Sequence, residues 1–297
     1  FAMGGGHLIW FLDGVHAEMD SLSYGPEFLA YPTYFDLNLT DLLFKYGVRV
    51  NTDLLQDVRC AGINDRRSIN PWVYFPLLGP TSHPSVLNLN AVKGEFVSSL
   101  DTVSAPGVKK QVLLQSSTNA KRVPAPHTVS LETLYNRPDP RAFQSRDIIA
   151  GLLLEGTFES AYANRIAPKT AGASLPQLKK SPPTSMAVFS DGDFIRNQVN
   201  LINPEIPRGQ PLPLGFDQYT NIQYGNDDLV LNLVDYMLDD SGLMQTRTRD
   251  VKLRLLNEGE VVNNASYWKL MNVAIPEAIL LLAALVFTLL RRRKYAQ

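Results

Sequence analysis

Cysteine is nearly missing from this chain: Cys60 is the only one in 297 residues. That excludes an internal disulfide and any metal site built on several thiolates. Gly-x-x-x-x-Gly-Lys-Ser/Thr is absent too, and no glycine is followed by lysine, so the chain has no phosphate-cradling loop of the ordinary kind. Any ATP hydrolysis it serves belongs to another protein. Neither His-Glu-x-x-His nor Gly-x-Ser-x-Gly occurs, and His7, His16, His83 and His127 are scattered. A thiol nucleophile would have to be Cys60, which follows Asp57-Val58-Arg59 outside any tight strand-to-helix elbow and reads as a small packing residue. The expectation is a protein without catalytic residues, metal or cofactor.

An excess of one charge is also lacking. Lysine and arginine number 28 against 29 aspartate and glutamate. Four of the basic residues stand together as Arg291-Arg292-Arg293-Lys294, leaving 24 against 29 elsewhere, a mildly acidic balance. No basic stripe is interleaved with aromatics, so nucleic acid is not an expected partner. With 45% hydrophobic residues, 20 prolines and 19 glycines, the chain can build one large domain or two ordinary ones. The opening Phe1-Ala2-Met3-Gly4-Gly5-Gly6 carries no leader and reads as a helix end with a glycine cap running into a buried strand, so an upstream part is expected.

One long hydrophobic run is present. Residues 273–290 are apolar apart from Pro276, Glu277 and Thr288, and a spanning helix needs about 20 such residues. The stretch 278–290 has no polar face, unlike a buried amphipathic helix. Tyr267 and Trp268 at one end, and Arg291, Arg292, Arg293, Lys294 and Tyr295 at the other, fit interfacial anchors and a cytoplasmic basic tail. The expected organisation is an extracytoplasmic region over 1–265, a membrane span over 266–290 and a short cytoplasmic tail over 291–297.

Short apolar runs recur at 7–12, 111–115 and 186–189, closed respectively by Asp13-Gly14, Ser116-Ser117-Thr118 and Ser190-Asp191-Gly192-Asp193; they read as buried strands. Helices are expected at 39–46, with Asn38 and Thr40 as candidate caps and Gly47 as the stop, and at 227–238, where Leu229, Leu233, Tyr236 and Met237 share a face. Residues 48–51 read as extended. Alternation of helices with solitary apolar strands predicts an α/β layered fold with a mostly parallel sheet flanked by helices. The proline-rich stretches 24–32, 80–84, 124–126, 168–183 and 204–213 read as loops, 167–183 as a mobile segment and 247–256 as a half-exposed strand or linker.

Ligands of open α/β sheets bind outside the carboxyl ends of strands. Asp13, Ser116, Ser117, Asp191 and Asp193 therefore form a candidate ligand edge for a hard cation or sugar hydroxyls. The competing structural reading has Asp193 capping a helix, Gly192 making the turn and Asp191 binding nearby backbone amides. Tyr135, Tyr162, Tyr219 and Tyr224 are either a stacking groove or loop anchors.

The ordered series Gly5-Gly6-His7-Leu8-Ile9-Trp10-Phe11-Leu12-Asp13-Gly14-Val15, Lys93-Gly94-Glu95-Phe96, Leu154-Glu155-Gly156-Thr157-Phe158, Ser190-Asp191-Gly192-Asp193-Phe194-Ile195-Arg196-Asn197-Gln198 and Tyr224-Gly225-Asn226-Asp227-Asp228, followed by the apolar helix with its basic end, resembles the GldG family. These are gliding-motility-associated ABC transporter subunits of Bacteroidetes. The resemblance implies a periplasmic auxiliary domain with layers similar to glutamine-amidotransferase and flavodoxin folds. It also implies a GldF-like permease and a GldA-like ATPase as partners, a second copy being natural, and it transfers no catalytic or ligand residues. The alternative, from the residues alone, is a membrane-tethered periplasmic sugar- or peptide-binding protein or hydrolase using the Asp13, Asp191 and Asp193 edge.

Overall fold

The computed structural model describes residues 1–33, 37–64, 68–136, 139–163, 178–239, 241–244 and 265–295. The chain divides into two units, 1–248 and 249–297.

The first unit is built on a seven-stranded sheet. Its strands are β1 (Leu8–Phe11), β2 (Cys60–Asn64), β3 (Ile69–Pro80), β4 (Val92–Lys93), β5 (Val108–Gln115), β6 (Ile149–Gly156) and β7 (Thr184–Phe189). Their spatial order is β1-β7-β6-β5-β3-β2, with β4 paired to β3. Only β1 and β7 run parallel; every other pairing is antiparallel. The expected mostly parallel sheet is therefore corrected to a mixed one. The reason is β6, which enters antiparallel between β7 and β5 and reverses the strand direction twice across the middle of the sheet.

Period-two alternation sorts the central strands' side chains onto two faces. Along β7, Ala187 and Phe189 enter one core with Leu153, Leu114 and Val97, whereas Met186 and Val188 enter another with Leu152, Leu154 and Phe158. All six residues of β7 are buried, as expected of a strand covered on both sides. Among the helices, α1 (Thr40–Tyr46) supplies Leu43 and Tyr46 to the second core. The short α2 (Glu132–Tyr135) buries Leu134 in a third core, and α3 (Asn226–Leu238) supplies Leu229, Leu233 and Met237 to the first. Spacings of four residues put those three on one stripe of α3, and each full burial is worth about 1.5–3 kcal/mol. The layered α/β reading thus holds, with a helix on each face.

α1 stops at Gly47, whose φ of 101° is the left-handed conformation glycine adopts without strain. A side chain there would also meet Lys110 Cε at 2.7 Å. At the other end, neither Asn38 nor Thr40 caps: Leu39 occupies the cap position and no side chain bonds to it. The 3₁₀ turn Ala2–Gly4 is closed by left-handed Gly5, as the opening glycines suggested.

The third core is built on β3 itself, where Trp72 packs edge-on against Tyr74, Phe75 and Phe96. Part of the stretch expected as a loop at 24–32 is here a strand, Glu27–Pro32, paired with His127–Ser130 and with Val15–His16. Its proline is the last strand residue, opposite Val15, and the next residue, Thr33, resumes pairing by donating its amide to the Gly14 carbonyl at 3.2 Å. Cys60 is half-buried in β2.

In the second unit, α4 (Ala265–Tyr295) is a helix long and apolar enough to cross a membrane. Its 31 residues span about 46 Å at 1.5 Å per residue, against a hydrocarbon core of about 30 Å. Pro276 lies within it, and Thr288 Oγ1 donates to the Ala284 carbonyl at 2.7 Å, which satisfies the one hydroxyl of the run. Trp268 stacks edge-on with Tyr267, and Lys294 Nζ lies 5.8 Å from the Tyr295 ring centre. The expectations for 247–256 and for 167–177 lie outside the described residues.

Candidate functional site: a carboxylate edge

β1 and β7 are parallel and end together, so Asp13 and Ser190-Asp191 leave the sheet at one edge. β5 also ends there and β6 begins there, which brings Ser116 and Ser117 to the same edge on the far side of β6. The two groups of candidates make different contacts. Ser116 Oγ accepts from the Ile148 amide at 2.9 Å, and Ser117 donates both its amide, at 2.7 Å, and its hydroxyl, at 2.6 Å, to buried Asp57. Ser190 ties the strands beneath, its hydroxyl donating to the Ser98 carbonyl at 2.6 Å and to Ala150 at 3.2 Å.

Asp13, Asp191 and Asp193 do come together around one turn. Asp13 Oδ1 accepts from the Gly192 amide at 2.8 Å. Asp191 is fully buried; Oδ1 accepts from the Asp193 amide at 2.7 Å and Oδ2 from the Glu95 amide at 2.9 Å. Asp193 opens a short 3₁₀ turn, Asp193–Ile195, without capping it, and its carboxylate pairs with Arg196 at 3.2 Å. Thus the structural reading of Asp191 as an acceptor of backbone amides describes the geometry, and that of Asp193 as a cap does not.

The fourth participant comes from elsewhere in the sequence. The loop Lys93-Gly94-Glu95-Phe96 lies against Asp191, close enough that a side chain on Gly94 would sit 2.9 Å from Asp191 Oδ2 and 2.2 Å from Val97. Phe96 has φ of 58°, an uncommon conformation for a bulky residue, held by aromatic contacts on several sides. Lys93 Nζ pairs with Glu95 at 3.0 Å and with buried Asp217 at 3.1 Å, and lies 5.0 Å from the Phe75 ring centre. Burial alone would lower the Lys93 pKa, but Glu95 and Asp217 carry it above its ordinary value. Asn226 extends the network, accepting from the Lys93 amide and donating to the Lys93 and Phe194 carbonyls, which fixes the start of α3. Sequence spacing could not show this juxtaposition, since Glu95 and Asp191 are 96 residues apart. The one signal was the Lys93-Gly94-Glu95-Phe96 string.

Packing carboxylates this closely shifts their proton affinity. Asp191 is raised well above its ordinary range by burial, then by Asp193 and Asp13. Asp193 is pushed up to about 6 by burial, then by Glu95, with Arg196 pulling the other way. A carboxyl raised in the folded state stabilises fully below its unfolded pKa, near 4, and that contribution is lost as pH rises through about 6. His83 acts oppositely: burial, then Lys109, lowers it to about 4, so its contribution holds above its unfolded pKa near 6.5 and is lost as pH falls through about 4. Asp193→Asn is therefore expected to remove up to about 3 kcal/mol of the stability that wild type gains between pH 7 and pH 4. Urea unfolding of both proteins at several pH values checks this, and parallel stability profiles would contradict it.

Among the described residues no group of three or more His, Cys, Asp or Glu side chains has the arrangement of a metal site. A small cavity of about 40 Å³ beside Asp13 is lined by the apolar Leu12, Leu37, Leu39, Leu43 and Val50 and by Thr33, Thr40 and Thr52. Of the four tyrosines, Tyr224 is buried, while Tyr135, Tyr162 and Tyr219 are exposed. No curated protein and no solved structure matches the chain. A family described as an ABC-type uncharacterized transport system does, over residues 1–233, which covers the whole sheet and most of α3. The chain belongs to this family of ABC-type transport systems, the one to which the GldG-type auxiliary subunits that its sequence resembles are assigned.

Proposed function

We propose that this protein is the periplasm-facing, membrane-anchored auxiliary subunit of a gliding-motility ABC transporter, working with a GldF-like permease and a separate GldA-like ATPase. The observation that carries the reading is the family match over 1–233 in a chain that also holds a membrane-length apolar helix. The missing Gly-Lys pair assigns nucleotide hydrolysis to the partner. The basic run Arg291, Arg292, Arg293 and Lys294 supports a cytoplasmic C-terminus by the positive-inside rule, and with it a sheet domain on the outer side.

A second reading keeps the carboxylate edge as a binding surface. Asp193 and Glu95 are partly exposed, at 20% and 25%, and each presents a carboxylate on the rim of the buried network. In the primary reading, Asp13, Asp191 and the Ser116-Ser117 pair lock the loops that a partner meets.

The orientation has a direct test. Tyr24 is 95% exposed on the sheet domain, so Tyr24→Cys in a Cys60→Ser background supplies a single reporter thiol. Labelling by a membrane-impermeant maleimide in cells with a permeabilised outer membrane is expected. Labelling only after inner-membrane lysis would reverse the topology.

A further inference from the structure

α3 buries one stripe and leaves a second apolar stripe in solvent. Leu231 is 65% exposed, Val234 37% and Leu238 67%. At 100° per residue these three fall within about 60° of one another, a continuous ridge some two turns long. Single exposed leucines are ordinary, but an aligned ridge on a helix already anchored by Leu229, Leu233 and Met237 is the form of a helix-docking surface. Asp228 and Asp235 run along one side of it, and Asp227 and Asp239 lie near its two ends. No lysine or arginine occurs between 226 and 239. Among the described residues, Asp228 and Asp235 belong to no ion pair.

We infer that this face docks an amphipathic helix of a partner protein whose apolar ridge is flanked by lysine or arginine. Charge decides among the occupants. A second copy would bring the same acidic rim against itself, since a twofold pairing of α3 sets aspartates against aspartates. An anionic bilayer surface is repelled for the same reason. A basic-rimmed helix covers the leucines and neutralises Asp228 and Asp235 together. The surface is defined by the chemistry of α3 and stands whichever protein supplies that helix.

The test uses the full-length chain in its native membrane, with a photo-reactive benzoylphenylalanine at Leu231 or at Leu238 and mass spectrometry of the joined peptides. The expected result is that both positions join the same external segment, one with apolar residues at helical spacing beside lysine or arginine. In the second arm, Asp228→Lys with Asp235→Lys is expected to cut the yield by about tenfold or more, the scale of a lost hot spot. Because the altered side chains are exposed, the midpoint of thermal unfolding is expected to stay within a few degrees of wild type, separating lost docking from lost folding. Cross-links confined to this chain, to a second copy or to lipid would overturn the inference. So would an external segment without basic residues, a yield unchanged by charge reversal, or no cross-link at all.

Discussion

Replacing Asp191 by alanine is expected to destabilise the sheet domain by about 3–5 kcal/mol. The side chain is completely buried, and its two oxygens are the acceptors for the Glu95 and Asp193 amides. Alanine leaves both part-buried amides without their acceptor, at about 1–3 kcal/mol each, and opens space beneath Gly94. Relief of the repulsion from Asp193 and Asp13 offsets part of this. Asp191→Asn keeps one acceptor and removes the charge but turns an NH₂ toward the second amide, so it should lose less than alanine does. Urea unfolding of the three proteins at pH 7 gives the order wild type, asparagine, alanine. Alanine within 1 kcal/mol of wild type would show that Asp191 does not hold the loop and the turn together.

Deleting residues 265–297 from the 297-residue chain is expected to move that chain almost completely from the membrane pellet to the soluble fraction. Residues 273–290 contain one ionisable side chain, Glu277, and partitioning of a segment this long and apolar is effectively irreversible. The sheet domain has its own three cores, so the truncated protein should remain folded and show cooperative unfolding. Two arginines in the middle of the helix, Leu282→Arg with Leu285→Arg, test the same point inside the full chain. Each adds about 2.5–3.5 kcal/mol to insertion at the helix centre, enough together to leave a large soluble fraction. Retention of the truncated chain in carbonate-washed membranes would assign anchoring to another part of the protein.

What the sequence revealed follows from which features are local. β1, β5 and β7 carry dense apolar runs closed by turn residues, and α3 carries a four-residue period, so each could be placed within a few residues. The long β3 strand escaped because Pro71, Pro76 and Pro80 make it look like a loop. Prolines are tolerated there near a register shift and at the strand's end, where a ladder bond is already missing. Strand direction was not legible, because apolar content is the same for a parallel or an antiparallel neighbour when both faces are covered. β6 was missed as well, and it sets the direction of the sheet's centre.

The site divides in the same way. Asp191-Gly192-Asp193 after an apolar strand is a local pattern, and parallel pairing of β1 with β7 brings Asp13 to it. Glu95, Lys93 and Asp217 reach the network only through the fold, and Phe96's unusual backbone has no sequence signature. The acidic ridge of α3 was legible in principle: Leu231, Val234 and Leu238 repeat at helical spacing beside the buried stripe, but sequence alone could not say which of the two stripes faced the core.

The central claim, a non-hydrolysing subunit serving a transporter, is tested most directly by its company. Affinity purification of the full-length protein from its native membrane in mild detergent, with mass spectrometry of what accompanies it, is predicted to recover a permease and an ATPase in fixed ratio. Recovery of the protein alone, or with cell-wall fragments only, would contradict it.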